Sequence, residues 1–254
     1  MTKAIMHGCN GKMGQVISNI IASDDEIEIV AGIDLYDGIK NPYPVFKSLA
    51  ECDVKADVVI DFASVQGFDA LLDYSLSTKT PVVICTTGLT QEQIERIGEV
   101  SKSVALLRSA NMSLGINLLL NLLKNAAEVL APAGFDIEIV EKHHNLKKDA
   151  PSGTAIALAD SINEQMGNRY HYVYDRSQDL ERRTSDEIGI SAVRGGTIVG
   201  DHDVIFAGED EVITFSHTAY SKAIFGKGAV EAAKFLKDKP AGLYNMQDVI
   251  HARG

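Results

Sequence analysis

Two periodicities alternate along the chain. Lys3–His7 is a short apolar run, and Met13, Val16, Ile17, Ile20 and Ile21 follow at helical spacing, so a strand, a tight turn and a helix are predicted in that order. The pattern then repeats. Strands are predicted at Glu28–Ile33, Ala56–Phe62, Pro81–Cys85 and Val104–Leu107, with helices at Gly67–Ser77 (apolar face Phe68, Leu71, Leu72, Leu76) and Gln91–Ser101. Asp37–Pro44, rich in Gly, Pro and Asn, reads as a loop. Strands alternating with helices imply a parallel sheet with right-handed crossovers.

From Ser113 the pattern changes. Ser113–Leu130 is predicted helical, with Leu114, Leu118, Leu122, Ala126 and Leu130 as its core stripe, and carries the chain into a second region. There Phe135–Val140 alternates as a strand, and a helix runs from about Ser152 to Met166. Gly167–Arg183 is charged and aperiodic, which reads as a solvated loop. Ile188–Val193, Thr197–Phe206 and Glu211–Thr218 read as strands joined by turns at Gly195-Gly196 and Gly208-Glu-Asp. Ala219–Leu236 returns to helix despite the interior Gly226 and Gly228, and the amphipathic tail Gly242–Ile250 is expected to pack back on the first region. Two domains are expected: 1–113 with 223–254 around the parallel sheet, and 114–222 as an α+β unit with a mixed or antiparallel sheet.

Composition narrows the function. With 254 residues and 45% hydrophobic content the chain has material for a sizeable core. Its formal charge of -11 repels nucleic acid and anionic membrane, so neither is an expected partner, and any anion site must be local. No apolar run approaches the roughly 18 residues that span a bilayer. Cys9, Cys52 and Cys85 are odd in number and widely spaced, which suits neither a disulfide framework nor a zinc site, and a reducing cytoplasm is expected.

The first strand runs directly into Gly8-Cys9-Asn10-Gly11-Lys12-Met13-Gly14 and then a helix. Small residues at such a turn let a pyrophosphate approach the backbone N–H groups at the helix start, as in a Rossmann-type dinucleotide domain. A helix that merely needs a tight turn would give the same glycines. Asp34 shifts the balance, because it ends the next strand where an acid accepts hydrogen bonds from the adenosine ribose hydroxyls. Leu35 follows it, so no arginine meets a 2′-phosphate there; NADH is favoured over NADPH, with Lys12 the one nearby cation. Cys85-Thr86-Thr87-Gly88 and Ser109-Ala110-Asn111-Met112 follow later strands at the same sheet edge, where ligands of such folds lie, and all these segments are expected to line one cleft. By itself Thr86-Thr87-Gly88 reads as a plain turn, and its place after a buried strand makes contact with the nicotinamide half of a cofactor an equally good account.

The chemistry gathers in Glu141-Lys-His143-His144-Asn-Leu-Lys147-Lys148-Asp-Ala-Pro-Ser152-Gly153-Thr154. Ser152 suits an N-cap, and the amides around Gly153 and Thr154 form an anion site at a helix start. Strand, cationic loop and helix start together make a carboxylate pocket that suits a small acidic substrate. Adjacent imidazoles on a strand point to opposite faces, so His143 and His144 share a cleft only if the strand ends there. Imidazole is the natural acid or base at neutral pH, whereas a lysine pair is usually solvated. The ligand spacing of a metal site is missing.

GCNGKMG, CTTG, SANMSLGIN, DIEIVEKHHNLKKDAPSGTA and VRGGTIVGDH, in this order over nearly the whole chain, resemble the 4-hydroxy-tetrahydrodipicolinate reductase (dihydrodipicolinate reductase) family. The resemblance implies reduction of a small dicarboxylate substrate, 4-hydroxy-tetrahydrodipicolinate, with NAD(P)H and loss of water, in lysine and diaminopimelate biosynthesis. It implies that Gly8, Cys9, Asn10, Gly11, Lys12 and Met13 bind the pyrophosphate and Asp34 the ribose. Cys85, Thr86, Thr87, Ser109, Ala110, Asn111 and Met112 would line the rest of the cofactor site. His143 would be the proton donor or acceptor, Lys147 the proton donor, His144 a substrate contact, and Gly153 and Thr154 the carboxylate holders. A homotetramer built through the sheet of the second domain, and closure about hinges near Ser113 and Lys222, would follow. Cys85 stands where the family commonly has glycine, and Leu35 where NADPH-using members have arginine. Two other classes share parts of this pattern: a two-domain dehydrogenase of a small amino acid, and a non-catalytic dinucleotide sensor. The first has no reason to carry the His-His-Lys-Asp-Ala-Pro-Ser-Gly-Thr run, and the second is weakened by the net negative charge and the lack of a basic helix for DNA.

Overall fold

A computed structural model describes residues 1–177 and 180–252. In chain order the first part holds β1 (Thr2–His7), α1 (Lys12–Ile21), β2 (Ile27–Ile33), β3 (Val45–Phe46), β4 (Val58–Asp61), α2 (Phe68–Thr78), β5 (Val82–Ile84), α3 (Gln91–Ser101) and β6 (Ala105–Arg108). The middle holds α4 (Leu114–Leu130), β7 (Asp136–His143), α5 (Gly153–Gln165), β8 (His171–Val173), β9 (Glu187–Arg194), β10 (Gly200–Ala207) and β11 (Val212–Ala219). The chain closes with α6 (Ala223–Leu236), β12 (Gly242–Tyr244) and α7 (Met246–His251). It divides into two compact units, Met1–Leu114 with the chain from Ala223 onward, and Gly115–Lys222.

The first unit is built on a parallel seven-stranded sheet of order β12-β6-β5-β4-β1-β2-β3. Its central strands are buried on both faces, which is why they read as unbroken apolar runs such as Val58–Ile60 and Val82–Ile84. One layer packs α1, α6 and α7 on one face through Ile17, Ile21, Ala229, Ala233, Leu236 and Val249. The other packs α2 and α3 through Phe68, Leu71, Leu72, Ile97 and Val100. The order of strands reverses at β1, whose neighbours are β2 and β4, and the carboxyl ends there form the crevice where folds of this type bind ligands. β12 extends the sheet beside β6, so the tail does rejoin the first unit.

The two interior glycines of α6 have a packing cause. A Cβ on Gly228 would fall 1.7 Å from the carbonyl oxygen of Met112, and one on Gly226 would press on Ile17 and Ile20. Close approach of α6 to the segment after β6 and to α1 outweighs the entropic cost of glycine in a helix.

The second unit is a mixed sheet, β11-β10-β7-β9-β8, with α4 and α5 on one face. β7 pairs parallel with β9 and antiparallel with β10, so β7 lies between them. The Gly195-Gly196 turn is therefore not a hairpin between adjacent strands; it passes the end of β7, where Gly195 N donates to His143 O at 2.9 Å. Three other expectations change. β7 extends through His143, three residues beyond the alternating run. The stretch from Gly167 contains β8 and a buried Tyr170, while Arg176 and Arg183 pair with Glu138; residues 178–179 lie outside the described residues. On α4 the buried stripe is Ile116, Leu119, Leu123 and Ala127, and Leu118 and Leu122 are exposed, because a strict four-residue repeat drifts around a helix of 3.6 residues per turn.

Gly228→Ala should lower the melting temperature by roughly 5 °C or more, since the added carbon meets backbone rather than a movable side chain. Gly98→Ala in α3, with open space around the new carbon, should raise it by about 1–3 °C. Thermal unfolding of both variants checks the contrast.

Candidate active site

In the first unit the glycine loop is a cradle of backbone. Gly8 takes a positive φ of 81°, and a Cβ on Gly14 would stand 2.1 Å from Gly8 O, so the first turn of α1 sits against the loop. The N-cap of α1 is Gly11, with no side-chain cap and no acidic residue in the first turn, which leaves the positive end of the helix open to an anion. Asp34, at the end of β2, accepts from Asn10 N at 2.9 Å and from Tyr36 N at 3.0 Å and so ties the loop to the strand end. Each carboxylate oxygen keeps a further lone pair for a ribose hydroxyl. A cavity of about 860 Å³ opens beside Gly8, Gly11, Asp34, Leu35 and Ala63. An uncapped helix start, a glycine cradle and an acid at the rim of a cavity fit a dinucleotide.

The side chains of that set are placed differently. The Cys9 side chain is buried against Gly32, and burial together with the field of Asp34 pushes its thiol up to about 11. Asn10 uses its side-chain amide on Tyr36 O and its oxygen on Asn41, so it braces the 36–41 loop. Lys12 is exposed and Met13 half-buried. Cys85–Thr87 and Ser109–Met112 follow β5 and β6, one and two strands beyond β4 on the same sheet edge, and are not among the residues that border the cavity at Asp34. Burial and the field of Asp61 push the Cys85 thiol up, so it is a packing group and not a nucleophile. Thr86 is turned inward, its hydroxyl 2.7 Å from Asp61 Oδ2, while Thr87 is exposed. Ser109 and Asn111 are half-buried, Ala110 is exposed and Met112 is buried.

Asp61 was not singled out by sequence. It is 1% exposed and joins three strand ends at the point of reversal: His7 Nδ1 at 2.9 Å, Thr86 Oγ1, and Ala63 N at 3.2 Å. A polar residue ending an otherwise apolar run was the available signal.

In the second unit β7 ends at His143, which places both imidazoles at the mouth of the loop to α5. His143 is buried, its Nδ1 2.6 Å from Glu141 Oε2. His144, the first residue past the strand, is half-buried, and its Nδ1 has no hydrogen-bond partner. Lys147 Nζ holds both oxygens of Asp149 at 2.9 and 2.8 Å, which keeps the Asp149 carboxyl below its ordinary value; Lys148 is exposed. Ser152 caps α5, its Oγ accepting from Ala155 N at 3.1 Å, and Gly153 is exposed at the helix start with Thr154 half-buried behind it.

The group that organises this end of the sheet is Glu141. Its carboxylate is fully buried, receives Arg194 Nη1 at 2.8 Å and Nη2 at 2.7 Å, and also receives Ser152 N at 2.9 Å. Burial by itself would raise the Glu141 carboxyl, but hydrogen bonds from Arg194, His143 and Ser152 outweigh it and leave it below the ordinary range. His202, opposite Glu141 on β10, lies edge-on to His143 at 5.2 Å and 3.0 Å from Ser152 Oγ. Burial, then the field of His143, pulls His202 down to about 4, so it is a neutral ring at pH 7. Glu141, Arg194 and His202 are sites that sequence reasoning missed as such. Their signal was a charge or imidazole at an inward-facing strand position.

A family model described as dihydrodipicolinate reductase, N-terminus, matches residues 2–112, and one described as its C-terminus matches residues 115–250. The chain belongs to the dihydrodipicolinate reductase family. A 4-hydroxy-tetrahydrodipicolinate reductase from Caldanaerobacter subterraneus subsp. tengcongensis is 53% identical over 254 residues, covering 98% of each chain. One from Clostridium novyi is 47% identical over the full length of both. Among solved structures, dihydrodipicolinate reductase from Paenisporosarcina sp. TG-14, with dipicolinate bound, superposes with a TM-score of 0.82 at 25% identity over 98% of this chain and 99% of that one. As a member of this family the chain is an NAD(P)H-dependent oxidoreductase.

The buried cluster of this reductase makes two predictions. Because folded His202 is pulled below the usual imidazole value near 6.5, the folded state binds fewer protons than the unfolded one as pH falls from about 6.5 to about 4, and stability falls through that window. Melting temperatures measured across it should drop, and His202→Gln should remove the larger part of the slope. Glu141→Gln leaves the Arg194 guanidinium without its carboxylate and should cost about 3 kcal/mol in denaturant unfolding at pH 7. The carboxylate's own contribution is present above the ordinary Glu value and lost as pH falls through its lowered one, so the wild-type advantage over the variant should shrink in acid.

Proposed function

We propose that the protein reduces 4-hydroxy-tetrahydrodipicolinate to tetrahydrodipicolinate with NAD(P)H and loss of water, a step in lysine and diaminopimelate biosynthesis. The observation that carries the reading is the ending of β7 at His143, which gathers two imidazoles, the Lys147 ammonium and the start of α5 in a chain similar to named reductases over its whole length.

In this reading the first unit is the nucleotide domain and the second binds substrate. The glycine loop Gly8–Met13 takes the pyrophosphate, Asp34 takes the ribose, and Cys85–Thr87 with Ser109–Met112 carry the site on toward the reacting end. The bound nicotinamide supplies a hydride. The amides at Gly153 and Thr154 hold one substrate carboxylate and His144 contacts the substrate with its unpartnered Nδ1. Lys147 exchanges Asp149 for the substrate and gives the proton that the electron-rich ring requires after reduction. Glu141 holds Nδ1 of His143, which leaves Nε2 as the ring atom that gives or takes a proton. The chain crosses between its units at Leu114 and at Lys222, close to where closure would hinge. The sheet face away from α4 and α5, with Thr214, Ser216 and Thr218 exposed on β11, is the surface through which a homotetramer would assemble. Leu35, 81% exposed and uncharged beside Asp34, favours NADH over NADPH. Three free cysteines suit a cytoplasmic enzyme.

With the hydroxylated substrate generated in a coupled assay, NADH should be oxidised and dipicolinate should inhibit; a chain that oxidises neither NADH nor NADPH would refute the reading. Lys147→Ala and His143→Ala should each lower kcat by roughly 10²–10⁴-fold, the range for a lost acid–base group, whereas His144→Ala should act mainly on KM.

A further inference from the structure

We propose that Lys47 is the residue through which this site accepts a 2′-phosphate on the adenosine ribose, so that it sets how well NADPH competes with NADH. The inference rests on the dinucleotide reading of the first unit. Backbone pairing puts Lys47 in place. β3 has only two residues, Val45 and Phe46, paired in parallel with Gly32 and Ile33, and Asp34 N donates to Phe46 O at 3.0 Å. The next residue along, Lys47, therefore emerges beside the ribose acid.

Its ammonium is anchored there. Nζ donates to Leu35 O at 2.9 Å and pairs with Asp37 Oδ2 at 2.6 Å, and Asp34, Leu35, Lys47 and Ser48 border the same cavity of about 860 Å³. An arginine at position 35 would bring a cation to this spot from β2; here a lysine brings one from β3, on the carbonyl of that same residue. Lys12, the cation nearest in sequence to the glycine loop, does not border the cavity.

The charges around Lys47 make the preference graded. Asp34 opposes a 2′-phosphate and favours free ribose hydroxyls. Asp37 competes for the ammonium, but the pair is half-open to water, with side chains 49% and 77% exposed, and a pair of that kind is weak. A phosphate of nearly two negative charges, held partly out of water in the cavity, displaces a single exposed carboxylate. With NADH the Lys47–Asp37 pair stays closed. With NADPH it opens.

The test is the dissociation constants of NADPH and NADH, measured by titration calorimetry without substrate, for wild type, Lys47→Met, Lys47→Arg and Asp37→Asn. Lys47→Met should weaken NADPH roughly tenfold, the size of one charge-assisted hydrogen bond, and change NADH by less than about twofold. Lys47→Arg should restore NADPH, and Asp37→Asn should tighten NADPH while leaving NADH as it was. Equal weakening of both cofactors by Lys47→Met, or no change in either, would overturn the assignment. A wild-type chain that binds neither cofactor would overturn the dinucleotide reading itself, which is a separate result from a wild type that binds both and a variant that fails to discriminate.

Discussion

A carboxylate with no exposed atom has to be ionised by its neighbours, and in the second unit everything near the candidate catalytic loop is arranged around that requirement. Glu141 keeps its charge because Arg194 grips both oxygens from β9, while the His143 ring and the Ser152 amide complete its shell. Three partners from three segments are thus drawn to one point. The strand end, the far end of the loop and the turn after β9 cannot shift independently without stranding a buried charge. Asp149 is drawn into the same frame, since Arg194 also donates to its carbonyl oxygen at 2.7 Å, and Asp149 in turn holds Lys147. The loop carrying His144 and Lys147 is exposed at its tip and tied by hydrogen bonds at its base.

The first unit solves the same problem by the same device. Asp34 accepts two backbone amides and fixes the glycine loop to the end of β2; Asp61 ties His7 on β1, Thr86 after β5 and the turn after its own strand. In both units a carboxylate near a strand end organises backbone beside an exposed helix start. A chain of net charge -11 needs such local devices, because its long-range field works against anionic ligands. Amides and paired cations act at contact distance, where the field of a few aligned dipoles outweighs the mean.

Histidine shows how burial divides labour among like groups. His202 is surrounded closely enough that protonation is suppressed to about pH 4, so it serves as a neutral spacer against Ser152 and His143. His143 has a carboxylate on one ring nitrogen, and His144 has a ring nitrogen with no partner at all. Three imidazoles close together thereby sit in three different hydrogen-bond surroundings.

Local order was written in the sequence. Apolar period and turn residues were enough for the strand, glycine loop and helix at the start, for Asp34 at the end of β2, and for the Ser152 cap, because each depends on residues within a few positions of one another. Faces and partners across the sheet were not. Glu141 and Arg194 are 53 residues apart, and Ser152 and His202 are 50 apart; they meet only because β7 lies between β9 and β10, an order that no local pattern encodes. β8 and the pairing of Arg176 and Arg183 stayed hidden for the same reason, since a short strand among charged residues is stabilised by its neighbours and not by its own period. Lys47 is the simplest instance. In the sequence it is one surface lysine among many, and a two-residue strand places it beside Asp34.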